Sequence, residues 1–265
     1  MIPNARRCQF SGAIFASGAI SRVTLFMGNG YNEERAQKEW DMRIGFVSRG
    51  VLRDYKDDYC ASCDRERTDV LLFGFNGIGE VSYEKELKGE SGFFADVALL
   101  SKVGQNIVVS GCITDTRGVK RKSAVVAEKG KLLGVSDMLN AVDGEVNCGA
   151  ALKIYDTSIG KMGVVLAEDV FFFEVMKALS VCGCDFIVCP FGAVADSFLT
   201  VLLRAYAFCS GIPIALCGVE YCALASPTGE LAFSSPHSPV YTRFENSREY
   251  HLIETRKRMF YRSSI

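Results

Sequence analysis

Residues Gly160–Leu179 (GKMGVVLAEDVFFFEVMKAL) restrict the fold more than any other stretch of the chain. Met162–Leu166 is a short apolar run of the kind a buried strand carries. It passes almost at once into Phe172, Val175, Met176 and Leu179, whose three- and four-residue spacing marks one face of a helix. Asp169 stands between them, where an N-cap carboxylate would take the free N–H groups of a first helical turn. A sharp strand-to-helix turn displays one side chain beside unpaired backbone donors, which is why several folds place a nucleophile there. Ala167 holds that place here, and a methyl group has no nucleophilic atom.

The rest of the chain supplies a sheet for such a unit. Met42–Val47, Val70–Phe73 and Ile107–Gly111 read as buried strands, with a short charged helix within Arg53–Arg67 and an apolar helical face at Phe93, Val97 and Leu100. Ser123–Ala127 and Lys131–Gly134 bracket Lys129-Gly130 as a hairpin. Leu152–Tyr155 pairs with the strand before the elbow. Asp185–Cys189, Ile212–Cys217, Tyr221–Ala225 and Glu230–Phe233 are further strands, around a helix from Phe198 to Cys209 that Gly211 stops. Tyr250–Glu254 is read as a last strand before a basic tail, Arg256–Arg262. Alternating early elements and later hairpins give an α/β fold of mixed sheets faced by helices. Two regions are expected: an N-terminal extension, residues 1–41, and a globular domain, residues 42–265.

Composition narrows the partners. A formal net charge of −1 gives no case for nucleic acid. No apolar run reaches the roughly 18 residues of a membrane span, since Asp185, Asp196 and Arg204 interrupt the longest ones. The eleven cysteines sit mostly in apolar runs and are odd in number, which fits reduced core residues in the cytoplasm. Arg6 and Arg7 ahead of Phe10–Ile20 imitate a secretory leader, but Ser and Gly dilute the apolar part. Cys60-x-x-Cys63 is a lone motif, and neither His237 nor His251 stands at ligand spacing, so neither metal nor cofactor is expected.

Four segments, in order, carry a likeness to a known family. They are Lys122–Val126 with Gly130–Gly134, Gly144–Gly149 with Leu152–Asp156, Gly160–Leu179, and Arg204–Ile214, followed by a Ser226–Gly229 turn. From Met42 onward the chain resembles the nitrilase, or carbon–nitrogen hydrolase, superfamily. The resemblance implies a four-layer α-β-β-α sandwich and dimers formed through the elbow helices. It also implies a cysteine nucleophile, a glutamate base and a lysine that neutralises the developing oxyanion. Carried over position by position, the nucleophile falls on Ala167, the base on Phe75 with Gly74 in the usual proline place, and the lysine on or next to Met138. Asp169, Phe172 and Glu174 match residues that follow the nucleophile, and Glu145 matches a second glutamate near the lysine. Glu168 stands where an aromatic residue is usual.

Exchanging all three for hydrocarbon avoids stranding one charge in the core without its partners. The expectation is a fold without hydrolase activity that binds a small amide or carboxylate ligand or assembles with itself or other chains. The competing expectation is an amidase built from displaced residues, Cys189 with Glu145 or Glu168. For Cys189 itself the plain alternative is an inert core cysteine.

Overall fold

Strand segments that are apolar at every position bury both faces of a sheet, and here they do so in two sheets. The structure is a computed structural model that describes residues 5–8, 40–49, 51–61, 67–142, 144–194 and 197–246. The expected strand Tyr250–Glu254, the basic tail, Cys63 and His251 lie outside the described residues.

One sheet contains β2 (Trp40–Val47), β3 (Val70–Phe73), β5 (Ile107–Thr116), β6 (Val119–Glu128), β7 (Lys131–Asp137) and β14 (Val240–Asn246), in the order β14-β2-β3-β5-β6-β7, with β4 (Gly79–Ser82) paired to β5. The other contains β1 (Ala5–Cys8), β8 (Leu152–Thr157), β9 (Gly160–Val164), β10 (Phe186–Val194), β11 (Ile214–Val219), β12 (Cys222–Ala225) and β13 (Leu231–Ser235), in the order β1-β8-β9-β10-β11-β12-β13. Residues 5–8, within the stretch read as an extension, therefore add an edge strand antiparallel to β8.

The period of two along each strand divides the apolar residues into layers. Met42, Ile44 and Phe46 of β2, Val70 and Leu72 of β3, and Ile107 and Val109 of β5 face the second sheet. Phe186 and Val188 of β10 and Ala215 and Cys217 of β11 meet them from the other side. The intervening residues Leu71, Phe73 and Val108 pack under α1 (Leu52–Ala61) and α3 (Phe93–Gly104). Ile187, Cys189, Ile214 and Leu216 pack under α4 (Phe173–Val181) and α5 (Ser197–Ser210). The result is a four-layer α-β-β-α sandwich with three apolar layers. Each fully buried large aliphatic side chain in them contributes about 1.5–3 kcal/mol.

The hairpins follow local backbone chemistry. Lys129 and Gly130, at φ 48° and 87°, turn β6 into β7 as a two-residue loop with both central residues left-handed. Between β3 and β5, α2 (Tyr83–Lys88) buries none of its residues, so its sequence carries no apolar stripe to announce it.

Candidate functional site

Strand β9 runs beside β10 in parallel, and Val165 extends that pairing by donating its N–H to the Val188 carbonyl at 3.0 Å. The chain then turns through Ala167, whose φ of 45° places a non-glycine residue in the left-handed region. That conformation costs about 1–2 kcal/mol for an L-residue. The strained turn on which enzymes mount a nucleophile is therefore present, and it is buried, with Ala167 only 2% exposed.

A single 3-10 turn, Ala167–Phe171, follows, and α4 begins at Phe173. Asp169 is not the N-cap of α4; Phe172 holds that place without a side-chain cap bond. The Asp169 carboxylate instead accepts the backbone N–H groups of Leu139 and Asn140, at 2.8 and 2.9 Å, and the Asn140 side-chain amide at 2.8 Å. It ties the elbow to the segment leaving β7. Burial pushes this carboxyl above its ordinary value of 3.8, the Leu139 and Asn140 donors pull it back, and the neighbouring Glu168 charge adds to the rise.

The three positions carried over from the family all lie in the layer between the sheets. Phe75 leaves the end of β3, and its N–H donates to Phe191 of β10 at 3.4 Å. A Cβ on Gly111 of β5 would lie 2.4 Å from the Phe75 Cα, so β5 needs glycine there to let the Phe75 backbone approach. Met138 follows β7 and is fully buried, its N–H donating to the Lys122 carbonyl at 2.8 Å. Phe75, Met138 and Ala167 belong to one apolar cluster between the two sheets.

Charged groups border this cluster, and sequence reasoning did not pair them. On β6, Ala124 and Val126 point between the sheets, while Val125 and Ala127 point to the helices. Lys122 continues the inward phase, opposite Ile113 of β5 and one rung beyond the Ser123–Asp137 pair of β6 and β7. Its ammonium lies 2.5 Å from Oε1 of Glu168, with side-chain exposures of 16% and 31%. Oε2 of Glu168 is shielded from solvent and has no hydrogen-bond partner among the described residues. The signal was the period-two phase of β6, which puts a lysine in line with Ala124 and Val126. Its partner, beside Ala167 in the sequence, is visible only in the fold.

The displaced set anchored on Cys189 does not assemble. Cys189 faces α4 and α5, in the layer on the other side of β10 from Ala167. Burial, with the Asp169 charge adding to it, pushes its thiol well up, away from the thiolate a nucleophile requires. Glu145 is exposed in the loop before β8, whereas the neighbours Glu168 meets are Lys122 and Asp169. The exposed cysteines are Cys148 and Cys209 among the described residues. Cys148 accepts a long N–H contact from Ala141 at 3.5 Å, beside the loop that Asp169 holds. No group of three or more metal-ligating side chains gathers among the described residues.

No protein-family model and no curated protein sequence matches the chain. Solved structures do. An amidase of the nitrilase superfamily from Nesterenkonia AN1, in a cysteine-to-alanine mutant, superposes with a TM-score of 0.64 at 17% identity, over 77% of this chain and 90% of that one. The same organism's amidase after tag removal gives 0.65 at 16% identity, over 80% and 95%. This chain has the carbon–nitrogen hydrolase fold. In this chain Phe75 at the end of β3, Met138 after β7 and Ala167 at the elbow are all hydrocarbon and all lie in the cluster between the sheets. A third similar structure is the amidase's cysteine-to-alanine mutant in complex with butyramide, at 16% identity and a TM-score of 0.65, over 77% of this chain and 90% of that one.

Proposed function

We propose that this protein is a catalytically silent carbon–nitrogen hydrolase-fold protein that binds a small amide or carboxylate molecule. The observation that carries the reading is that Phe75, Met138 and Ala167 are all buried in the apolar cluster between the sheets, with Ala167 at a left-handed elbow. A thiolate, a carboxylate base and an ammonium are the groups that acyl transfer from an amide needs, and none of the three side chains supplies one. The scaffold is retained at a cost, since the left-handed turn at Ala167 is kept without a nucleophile to display. That a cysteine-to-alanine mutant of the Nesterenkonia amidase is described in complex with butyramide supports ligand retention after loss of the nucleophile.

The test is a panel of short aliphatic amides and ω-amino acid amides incubated with purified protein, with ammonia release measured against a blank. Release at the blank rate is expected for every amide. Turnover abolished by Cys189→Ser or Cys148→Ser would overturn the reading in favour of a relocated nucleophile.

The same proposal places the protein in the cytoplasm as a homo-oligomer. No helix among the described residues is long and apolar enough to cross a membrane. Phe171 and Phe173 beside the elbow and Phe198, Val201 and Phe208 on α5 are exposed, although large apolar side chains favour burial. Covering them with a second copy accounts for that exposure. Sedimentation should give a dimer or larger species, and Phe198→Glu with Val201→Glu should shift it to monomer.

A further inference from the structure

We infer that Cys217 and Cys222 form a reversible redox pair: a peroxide joins them in a disulfide across β11 and β12, and a thiol reductant reopens it. The two strands lie beyond β10 from the elbow strand β9, and the inference holds whether or not the protein is catalytically silent.

The register of the sheet brings the two together. Cys217 of β11 is the cross-strand partner of Cys222 of β12 in an antiparallel pair. One rung nearer the turn, the Gly218 N–H donates to the Tyr221 carbonyl at 2.8 Å. Hydrogen-bonded and non-hydrogen-bonded rungs alternate along such a pair, so Cys217 and Cys222 occupy a non-hydrogen-bonded rung, where Cα atoms stand about 4.5 Å apart and side chains lie closest. A disulfide takes Cα separations of about 4.4–6.8 Å, so this rung needs little backbone movement to close one. Both thiols also point the same way, into the layer between the sheets. The other buried cysteines do not share that layer: Cys112 packs under α1 and α3, and Cys184 and Cys189 pack under α4 and α5.

The reaction balances with hydrogen peroxide as the oxidant. Cys222 reacts first, because burial pushes its thiol up to about 11 and holds that of Cys217 higher still. Its thiolate attacks one peroxide oxygen, the O–O bond breaks, and hydroxide leaves as water with the thiol's proton. Cys217 then attacks the sulfenic sulfur; the S–S bond forms, the S–O bond breaks, and a second water leaves with the Cys217 proton. Each sulfur gives up one electron, and one peroxide is reduced to two waters. Both thiols are fully buried. Thiolate is therefore scarce in the closed layer, and oxidation waits on opening of the short hairpin, whose turn residue Glu220 is exposed. The product is uncharged and suits its apolar surroundings. It also withdraws the Cys222 thiol from the Ser235 carbonyl of β13, to which it donates at 3.2 Å. The switch thus exchanges a β12–β13 contact for a covalent β11–β12 link, of the transient kind that a reducing compartment permits.

The test treats the whole folded protein with hydrogen peroxide, caps the remaining thiols with iodoacetamide, and digests it without reductant, using trypsin and a protease that cuts after glutamate. Cleavage after Glu220 parts the two cysteines. Peptides 205–220 and 221–230 should be recovered as one species, two hydrogen masses lighter than their sum, and dithiothreitol should separate them. The first peptide also holds Cys209, so Cys217→Ala should abolish the link and Cys209→Ala should leave it. Separate peptides once the exposed Cys148 and Cys209 are fully oxidised, or a link that survives Cys217→Ala, would overturn the inference. Hydrogen exchange needs no variant, so it stands even if a substituted protein does not fold. The Gly218 amide should exchange at least fivefold more slowly in the oxidised protein than after dithiothreitol, and equal rates would also overturn the inference.

Discussion

Ala167→Gly measures directly how much strain the elbow stores. The methyl group is 2% exposed, and removing it forfeits about 0.8 kcal/mol of burial. Glycine's larger loss of chain freedom on folding costs about 0.5–1 kcal/mol more. Against both stands the release of a left-handed backbone at φ 45°, which returns about 1–2 kcal/mol. The sum is close to zero. Ala178→Gly provides the control: it is 8% exposed within α4, at an ordinary helical position with no strain to release. There the lost methyl and the lower helix propensity of glycine, about 0.8–1.0 kcal/mol, add to about 1.5–2 kcal/mol. Urea unfolding followed by circular dichroism gives both differences, with the slopes checked for equality. If Ala167→Gly destabilises as much as Ala178→Gly, the elbow is not strained, and its backbone is no relic of a displayed nucleophile.

Three further outcomes are expected. Phe75→Glu and Met138→Lys should each cost several kcal/mol as lone buried charges, and together cost at least about 1 kcal/mol less than their sum; simple additivity in a double-mutant cycle would show that the two positions do not converge. Asp169→Ala leaves the Leu139 and Asn140 N–H groups without their acceptor and should cost about 2–4 kcal/mol; a loss under about 1 kcal/mol in urea unfolding would deny it an anchoring role. Burial opposes the charge on Asp96, yet hydrogen bonds from Lys56 and Arg53 outweigh it and hold the carboxyl below its ordinary 3.8. Its contribution is thus complete above 3.8 and is lost as pH falls through the lower folded value, so Asp96→Asn should flatten the acid limb of the stability curve. Parallel acid limbs for the two proteins would contradict this.

The layers of the fold were legible because strands buried on both faces leave unbroken apolar runs, as Val70–Phe73 and Ile107–Val109 do. The elbow was legible for the same reason, joined to the helical spacing of Val175, Met176 and Leu179. Asp169 was misread because a carboxylate just ahead of an apolar helix is the usual mark of a cap. Only the distant loop at Leu139 and Asn140 shows what it holds. Helix α2 gave no periodic signal because it buries nothing, and β14 pairs with β2 from far along the chain, Arg243 and Asp41 lying 202 residues apart. At the site, the three hydrocarbon positions followed from a family resemblance, whereas the Lys122–Glu168 contact joins residues 46 apart in the sequence and depends on how β6 and the elbow are packed.

The grip of Asp169 on Leu139 and Asn140 fastens the elbow to the segment that follows β7 without using any atom of Phe75, Met138 or Ala167. The backbone of the turn is therefore held by a contact remote from the side chain the turn displays. A clamp of that kind keeps the turn in shape whatever side chain stands at position 167, so the frame and the residue it displays can change separately.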